Sequence, residues 1–226
     1  MKKISVIIPV YNQETIIACN VPKIISVMDH YGAPYEILLI NDGSTDSSGQ
    51  QLSQLNYPKI RIITKENQGV GSVFKLGFLQ ATGNILILLD LDLSYGIDNI
   101  HKVIDLSNEW DCVVCSKYLG KNAYPFHRKI LSFCHYLFCK RIFNISIRDM
   151  GSGIVMVHSN LVQNEQFICN GFGIHCEFYL MLHKKKAAIL EIPIQYTHYP
   201  GNYRLFFHSI QTIKELLAIV HKRKSD

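Results

Sequence analysis

The sequence predicts an α/β fold in which one mostly parallel sheet carries helices on both faces. Three observations lead there. Runs of β-branched and aliphatic residues recur at Ile4–Val10, 36–40, 60–64 and Ile85–Leu89. They are too continuous for strands with one wet face and suit strands covered on both. Segments of helical periodicity alternate with them, giving the β-α-β order of a parallel sheet. Polar motifs directly follow three of the strands: Tyr11-Asn12, Asn41-Asp42-Gly43-Ser44 and Asp90-Leu91-Asp92. Ligands bind beyond the carboxyl ends of the strands in such sheets, so the three motifs should meet in space.

Taken in order, Ile4–Val10 is the first buried strand. Residues 14–30 have helical periodicity, with Pro22 marking a helix start or kink. Strand 36–40 leads to helix 46–55 and strand 60–64. Helix 69–81 ends at the Thr82-Gly83-Asn84 turn, and Ile85–Leu89 runs into two aspartates. Further strands are expected at Cys112–Ser116, 154–157 and 189–194. Between them, Phe126–Phe143 mixes aromatic and aliphatic residues with His127, Arg128, Lys129, Lys140 and Arg141. Residues 205–221 read as a terminal amphipathic helix with a Lys-Arg-Lys tail. With no Gly/Ser-rich linker, low-complexity stretch or repeat, residues 1–226 read as a single domain.

The bulk properties narrow the function. The chain has 226 residues and is 48% apolar, enough for one full core and too apolar for disorder. Its formal net charge of +5 suits anionic ligands or an anionic membrane surface. No long basic run lies on a recognisable nucleic-acid motif, so nucleic acid is not an expected partner. The first residues resemble a secretion signal, but the apolar stretch runs into Pro9 and Asn12 without a small-residue cleavage site, as a strand would. No apolar run reaches the roughly 18–20 residues of a spanning helix, so a cytoplasmic protein, peripheral on the inner face of a membrane, is expected. The seven cysteines read as free thiols of a reducing compartment. Cys112 and Cys115 have zinc-knuckle spacing. On a strand, however, positions i and i+3 point to opposite faces, and there is no second pair.

Asp90 and Asp92 carry the chemistry. In extended chain they would diverge, but at a strand end where the chain turns both can reach one divalent ion. Mg²⁺ or Mn²⁺ suits such oxygen ligands and commonly bridges one or two carboxylates to a substrate diphosphate. A polar strand terminus with solvated acids would leave the same string. Asp42 suits a hydrogen bond from a nucleobase ring N–H, or a plain turn with Gly43 and Ser44. Tyr11 suits stacking on a base, or packing alone.

The strings VIIPVYNQE, EILLINDGSTD, ENQGVG, ATGNILILLDLDLS, DCVVCSKY, HRKILS, RDMGSG and EIPI stand in the order and spacing of one family. The chain resembles the inverting family-2 glycosyltransferases of GT-A (Rossmann-like) fold over nearly its whole length. More narrowly, it resembles the branch that includes dolichyl-phosphate mannose synthase and bacterial polyprenyl-phosphate hexosyltransferases. The resemblance implies a nucleotide-sugar-binding half (1–115) and an acceptor-binding half (116–226). It places Pro9, Tyr11, Gln13, Ile40 and Asp42 around the nucleoside. Asp90 and Asp92 fall on the metal and diphosphate ligands, with Leu91 between them and Ser94 beside. Lys117, in place of a family arginine, falls near the transferring phosphates, and His198 and Arg204 lie in a segment that closes over the donor. Arg128 and Lys129 match a basic pair near an acceptor phosphate, and Glu177 is assigned to the acceptor side. Asp149 matches the acid of the D-x-x-x-G-F-R element. Departures are Gln13 for an acidic residue, Val155 for the arginine of that element, and His198 for an arginine. Lys117 keeps the charge of an arginine without its bidentate reach.

The implied reaction is a metal-dependent displacement that moves a hexose from a GDP- or UDP-sugar to a polyprenyl or dolichyl phosphate. A phosphate acceptor is already ionised and needs no strong base. A sugar hydroxyl, the alternative acceptor in surface polysaccharide or lipopolysaccharide assembly, needs one, and Asp149 is its candidate. A nucleotide-sugar-binding subunit with little catalysis is a further alternative. The Phe126–Phe143 segment suits an interfacial helix or an ordinary core helix with basic ends. The chain is expected to reach a lipid acceptor by docking on the membrane surface or through a membrane partner protein.

Overall fold

The computed structural model describes residues 2–120, 126–197 and 205–225, with side chains at all of these except 126–128, 131, 135, 205–210 and 222–225. One seven-stranded sheet runs through both halves of the chain, in the order β3-β2-β1-β4-β6-β5-β7. The strands are β1 (Ile4–Val10), β2 (Tyr35–Asp42), β3 (Ile60–Lys65), β4 (Ile85–Leu89), β5 (Cys112–Ser116), β6 (Ile154–His158) and β7 (Ile189–Pro193). Strands β1 to β4 are mutually parallel, as are β5 and β7, whereas β6 lies antiparallel to both β4 and β5. The expectation of a mostly parallel sheet therefore holds, with β6 as its reversed member.

Alternation along the strands builds a core on each face. Val6, Ile8 and Val10 of β1, with Ile37 and Leu39 of β2, enter one cluster, and Ile7, Leu38 and Ile40 enter the other. Each fully buried aliphatic side chain contributes roughly 1.5–3 kcal/mol by leaving water. Helix α3 (Val70–Gln80) covers one face, while α1 (Ile17–Tyr31) and α4 (Asn99–Asp105) cover the other. Cys112 and Cys115 join opposite clusters, and both are buried free thiols. The strand parity read from the sequence thus separates them, and they form no common metal site.

Several elements differ from expectation for physical reasons. Helix α1 begins at Ile17, three residues late, because Glu14 is held outside it: its N–H donates to Asp46 Oδ2 and its carboxylate accepts Ser47 N–H. Pro22 neither starts nor ends α1 and lies within it. Helix α2 (Ser48–Ser53) is shorter than 46–55, since Asp46 stays outside and accepts Ser48 N–H at 2.9 Å. Helix α4 and the short α6 (Ser159–Val162) carried no expectation, and neither did α7 (Gly173–Lys184). Most α7 residues are buried, so no polar stripe marks a helical period. Helices α5 (Phe126–Phe143) and α8 (Leu205–Ser225) occupy the two basic segments. Among the described residues no helix is long and apolar enough to cross a membrane.

Glu36, buried in β2, ties the lower edge of the sheet together. Its Oε1 accepts Ser5 Oγ, Thr82 Oγ1 and Thr82 N, each at 2.7 Å, and its Oε2 accepts Arg61 Nη1 at 3.0 Å. Burial by itself would raise the carboxyl pKa, but these donors outweigh it and hold the pKa at about 2. The group is therefore ionised more readily folded than unfolded. Its stabilisation is full above the ordinary value of 4.5 and disappears as pH falls towards about 2. Glu36→Gln should be less stable than wild type at pH 7, and urea titrations of the two should converge as pH falls through that window. A gap independent of pH would show that the charge is not what Glu36 contributes.

Candidate active site

Strand order reverses direction at β1, with β2 on one side and β4 on the other, so the first and fourth strand ends flank a crevice. Register sets Pro9 beside Ile40 and Val10 beside Asn41, and Asp42 follows. The loops after β1 and β2 are zipped together. Asn12 N–H donates to Ser44 Oγ at 3.0 Å, Thr45 N–H to Asn12 Oδ1 at 2.8 Å, and Gln13 N–H to Ser48 Oγ at 2.8 Å. Asn12 adopts φ 52°, a left-handed conformation that asparagine tolerates. Tyr11, just past the end of β1, is left exposed.

Asp42 is buried, and its carboxylate is largely occupied. Oδ1 accepts Lys65 Nζ at 2.5 Å and Gln68 N–H at 3.1 Å, and Oδ2 accepts Gly69 N–H at 2.9 Å. It therefore anchors the β3–α3 loop. An ionised carboxylate has about four acceptor positions, which leaves room for one further donor.

At the end of β4 the chain turns sharply: Leu93 takes φ 55° and Leu93 N–H closes onto Asp90 O at 3.3 Å. The turn replaces the divergence of extended chain. Leu91 points into the core, and its carbonyl accepts Asn20 Nδ2 at 2.9 Å. Asp92 Oδ1 accepts both N–H and Oγ of the buried Ser94, at 2.9 and 2.7 Å. The Asp90 carboxylate accepts no hydrogen bond among the described residues. Removal from water, with the charge of Asp92 beside it, pushes its pKa up to about 7. Gly153 makes space for it, since a Cβ there would lie 2.7 Å from Asp90 Oδ2 and 2.7 Å from the Tyr95 ring. Among the described residues no group of three or more His, Cys, Asp or Glu gathers to hold a metal. A crowded pair of carboxylates, one without a donor, nonetheless fits a hard divalent cation that completes its shell with water and diphosphate oxygens.

Behind the pair lies a buried ionic centre. Lys117 Nζ meets Asp149 Oδ1 at 2.7 Å and donates to Tyr95 Oη at 2.6 Å. Asp149 Oδ2 also accepts Lys117 N–H at 2.9 Å and Tyr95 Oη–H at 3.0 Å. The rings of Tyr95, Tyr118 and Tyr196 lie within 4.9 to 5.7 Å of the ammonium. Burial, with Asp149 beside it, keeps the Tyr95 hydroxyl well above its ordinary pKa, so it remains a neutral donor. Glu191 of β7 steadies the assembly by accepting the N–H groups of Arg148 and Asp149. Sequence reasoning found Lys117 and Asp149 but missed Tyr95 and Glu191. Tyr95 follows Asp92-Leu93-Ser94 directly, which is the one signal that might have marked it.

His198 and Arg204, expected over the donor, lie outside the described residues, as does the Arg128 side chain expected on the acceptor side. Lys129 lines an open groove of about 590 Å³ with Tyr118, Ile130, Ser132, Phe133, Tyr136 and Arg148. Tyr118 and Arg148 adjoin Lys117 and Asp149 in sequence, so the groove abuts the ionic centre. Glu177 is elsewhere. Its oxygens accept the N–H groups of Ile168 and Cys169, and it lines a separate pocket with Glu165, Lys184 and Ile219. The structure does not bring it to the groove of Lys129, and its carboxylate holds the 168–169 loop.

Residues 5–164 match the family model described as Glycosyl transferase family 2. The chain is 29% identical over 205 residues to a dolichol-phosphate mannosyltransferase of Pyrococcus furiosus, covering 86% of this chain and 56% of that protein. It is 30% identical over 155 residues to an undecaprenyl-phosphate 4-deoxy-4-formamido-L-arabinose transferase of Pectobacterium atrosepticum, covering 67% and 47% respectively. The chain thus spans about half the length of the curated relatives it matches. Its fold is shared with glucosyl-3-phosphoglycerate synthase of Mycobacterium tuberculosis solved with UDP, at a TM-score of 0.75 and 16% identity over 97% of this chain and 80% of that one. Mannosyl-3-phosphoglycerate synthase of Rubrobacter xylanophilus gives a TM-score of 0.74 at 13% identity, over 100% of this chain and 76% of that one.

Removing one member of the buried pair strands the other. Asp149→Ala should cost roughly 3–5 kcal/mol in urea unfolding, and Lys117→Met with Asp149→Leu should recover much of that loss. A double variant no more stable than Asp149→Ala would mean that the penalty does not come from the stranded ammonium.

Proposed function

The chain belongs to glycosyl transferase family 2, and from that premise we propose that it moves a hexose from a nucleotide sugar to a polyprenyl or dolichyl phosphate at a membrane surface. The observation that carries the acceptor class is the state of Asp149. Its two oxygens already accept three donors, from Lys117 Nζ, Lys117 N–H and Tyr95. Asp149 is also only 1% exposed and lies 2.7 Å from the ammonium, so it serves to position a cation and is poorly placed to reach a sugar hydroxyl. A phosphate monoester needs no such base, because its second pKa is about 6. Two relatives, named as lipid-phosphate sugar transferases, support the same class.

On this reading the acceptor oxygen attacks the anomeric carbon in one displacement with inversion, and the bond to the nucleoside diphosphate breaks with its electron pair. Asp90 and Asp92 are the residues that would hold Mg²⁺ or Mn²⁺. An ion held there would supply positive charge against that growing on the leaving diphosphate. A similar fold was solved with Mn²⁺, UDP and a glucosyl product, which supports the assignment. Lys117 brings a fixed positive charge to the same side of the crevice, and Asp149 and Tyr95 hold it in place. Asp42 and Tyr11 are assigned to the nucleobase, with Pro9 and Ile40 beneath it. Positioning and preset charge then supply most of the catalysis.

The groove of Lys129 and Arg148 is assigned to the acceptor phosphate and the first part of its chain. Helix α5 presents Ile130 (50% exposed) and Phe133 (57% exposed) beside it, with Leu137 and Ile142 further along and Lys140 and Arg141 exposed among them. Apolar side chains interspersed with cations suit an anionic headgroup layer.

Two measurements test the proposal. Radiolabelled UDP- and GDP-sugars should label polyprenyl phosphate but not soluble glycans, in a reaction that needs Mn²⁺ or Mg²⁺ and is lost in Asp92→Ala. Label on glycans alone would overturn the acceptor class, and undiminished activity in Asp92→Ala would overturn the metal ligands. In flotation at low salt the protein should rise with anionic vesicles, and Ile130→Ser/Phe133→Ser should stay behind. Equal flotation of the two would remove α5 from the docking surface.

A further inference from the structure

The C-terminal helix is joined to the nucleotide crevice by an unbroken series of hydrogen bonds. Helix α3 begins at Val70 behind Gly69, with no side chain of its own to cap it. Its first free N–H groups are satisfied from two sides. Just ahead of the helix Asp42 takes the N–H groups of Gln68 and Gly69; within it the main-chain oxygen of Asn170 takes that of Gly71 at 2.7 Å and shares that of Ser72, at 3.2 Å, with Gly69 O at 3.0 Å. The contact is close: a Cβ on Gly71 would lie 2.7 Å from Cys169 O and 2.9 Å from Asn170 O. Lys75 of α3 also bonds the side-chain oxygen of Asn170.

Asn170 is in turn held from α8. Glu215 Oε1 accepts the N–H groups of Asn170 at 3.1 Å and Gly171 at 2.6 Å, and Oε2 accepts that of Gly173 at 2.8 Å. Gly173 is the first residue of α7, so the Glu215 carboxylate also sits at the positive end of that helix. Leu216 and Ile219 bury the adjoining face of α8 in the core and keep Glu215 in register with the turn. Nothing in the immediate sequence around Glu215 marks it, because its partners are main-chain N–H groups more than forty residues earlier.

We propose that Glu215 is a positioning residue for the nucleotide crevice. It fixes the 170–173 turn, the turn fixes the start of α3, and the segment leading into α3 supplies two N–H groups, of Gln68 and Gly69, that help hold Asp42 in its base-facing position. The inference rests on the assignment of Asp42 to the nucleobase and adds to it a dependence on α8. Loss of the Glu215 charge should loosen the Asp42 anchor while leaving the α5 groove untouched, since none of these residues lines that groove.

The test uses the full chain as wild type, Glu215→Gln, and Val103→Ala as a control. Val103 is buried in α4 on the opposite face of the sheet, so its truncation lowers stability without touching this series. Two quantities are read: amide hydrogen exchange of peptides covering residues 66–73, and the affinity for UDP and GDP with Mn²⁺. In Glu215→Gln, exchange in 66–73 should accelerate and nucleotide affinity should fall roughly tenfold, about what one charged hydrogen bond is worth. Flotation on anionic vesicles should be unchanged, and Val103→Ala should keep wild-type affinity. Unaltered exchange and affinity in Glu215→Gln would overturn the proposal, and so would an equal loss of affinity in Val103→Ala. A wild type that binds neither nucleotide would sink the nucleotide-sugar assignment instead, and exchange at 66–73 would then decide the coupling by itself.

Discussion

A buried ammonium group has to be matched by a counter-charge that cannot drift, and much of this molecule is arranged around that requirement. Lys117 leaves β5 into the interior, where its hydration is lost. Asp149 answers it at 2.7 Å from the loop that precedes β6. The loop needs its own restraint, and Glu191 of β7 provides it through the N–H groups of Arg148 and Asp149. Tyr95, just past the end of β4, completes the contacts and connects the pair to the turn that carries Asp90 and Asp92. One ion pair thus joins β4, β5, β6 and β7 at their functional edge. Such a pair is weak evidence for stability as such, because the cost of desolvating both charges offsets most of their attraction. Its better-supported consequence is position: a charge that stays in place without solvent reorganisation.

The nucleotide side follows the same logic with different means. Among the described residues no buried cation organises the loops after β1 and β2. Reciprocal loop bonds do so instead, Asn12 with Ser44 and Thr45, and Glu14 with Asp46 and Ser47. Asp42 adds Lys65 and the main chain of 68 and 69. Polar side chains that would each lose entropy on binding a ligand are already committed to partners. The ordering has been accomplished on folding, which lowers what a ligand must offset.

Much of this was legible in the sequence, and the gaps have a common cause. Strands β1 to β4 announce themselves because burial on both faces leaves continuous apolar runs. Asp42, Asp90 and Asp92 announce themselves because polar residues at the ends of such runs have no packing reason to be there. The opposite fates of Cys112 and Cys115 follow from strand parity alone. Helix α7 was hidden because burial on nearly all sides erases its period. Tyr95, Glu191 and Glu215 were hidden because each acts on main-chain groups or on a distant side chain, and no local pattern encodes a partner forty residues away. Glu177 was read from resemblance alone, and the N–H groups of Ile168 and Cys169 that it holds leave no local signal either. His198 and Arg204 were read from resemblance and lie outside the described residues.

The two sides of the site differ in a way that bears on the chemistry. The donor side is polar, zipped and rich in main-chain bonds, whereas the acceptor side is a groove with apolar walls and a few cations, bordered by exposed Ile130 and Phe133. A sugar hydroxyl acceptor would favour the reverse on its side: many convergent polar groups to orient a hydroxyl-rich ring, and a carboxylate exposed to the groove to receive a proton. The carboxylate nearest the groove in sequence, Asp149, is instead buried and bound to Lys117 and Tyr95. An acceptor that brings its own negative charge needs cations to meet it and an apolar track for the rest of its length. The wall chemistry, the exposed face of α5 and the buried, paired carboxylate are three separate features, and the lipid phosphate we propose as acceptor makes use of all of them.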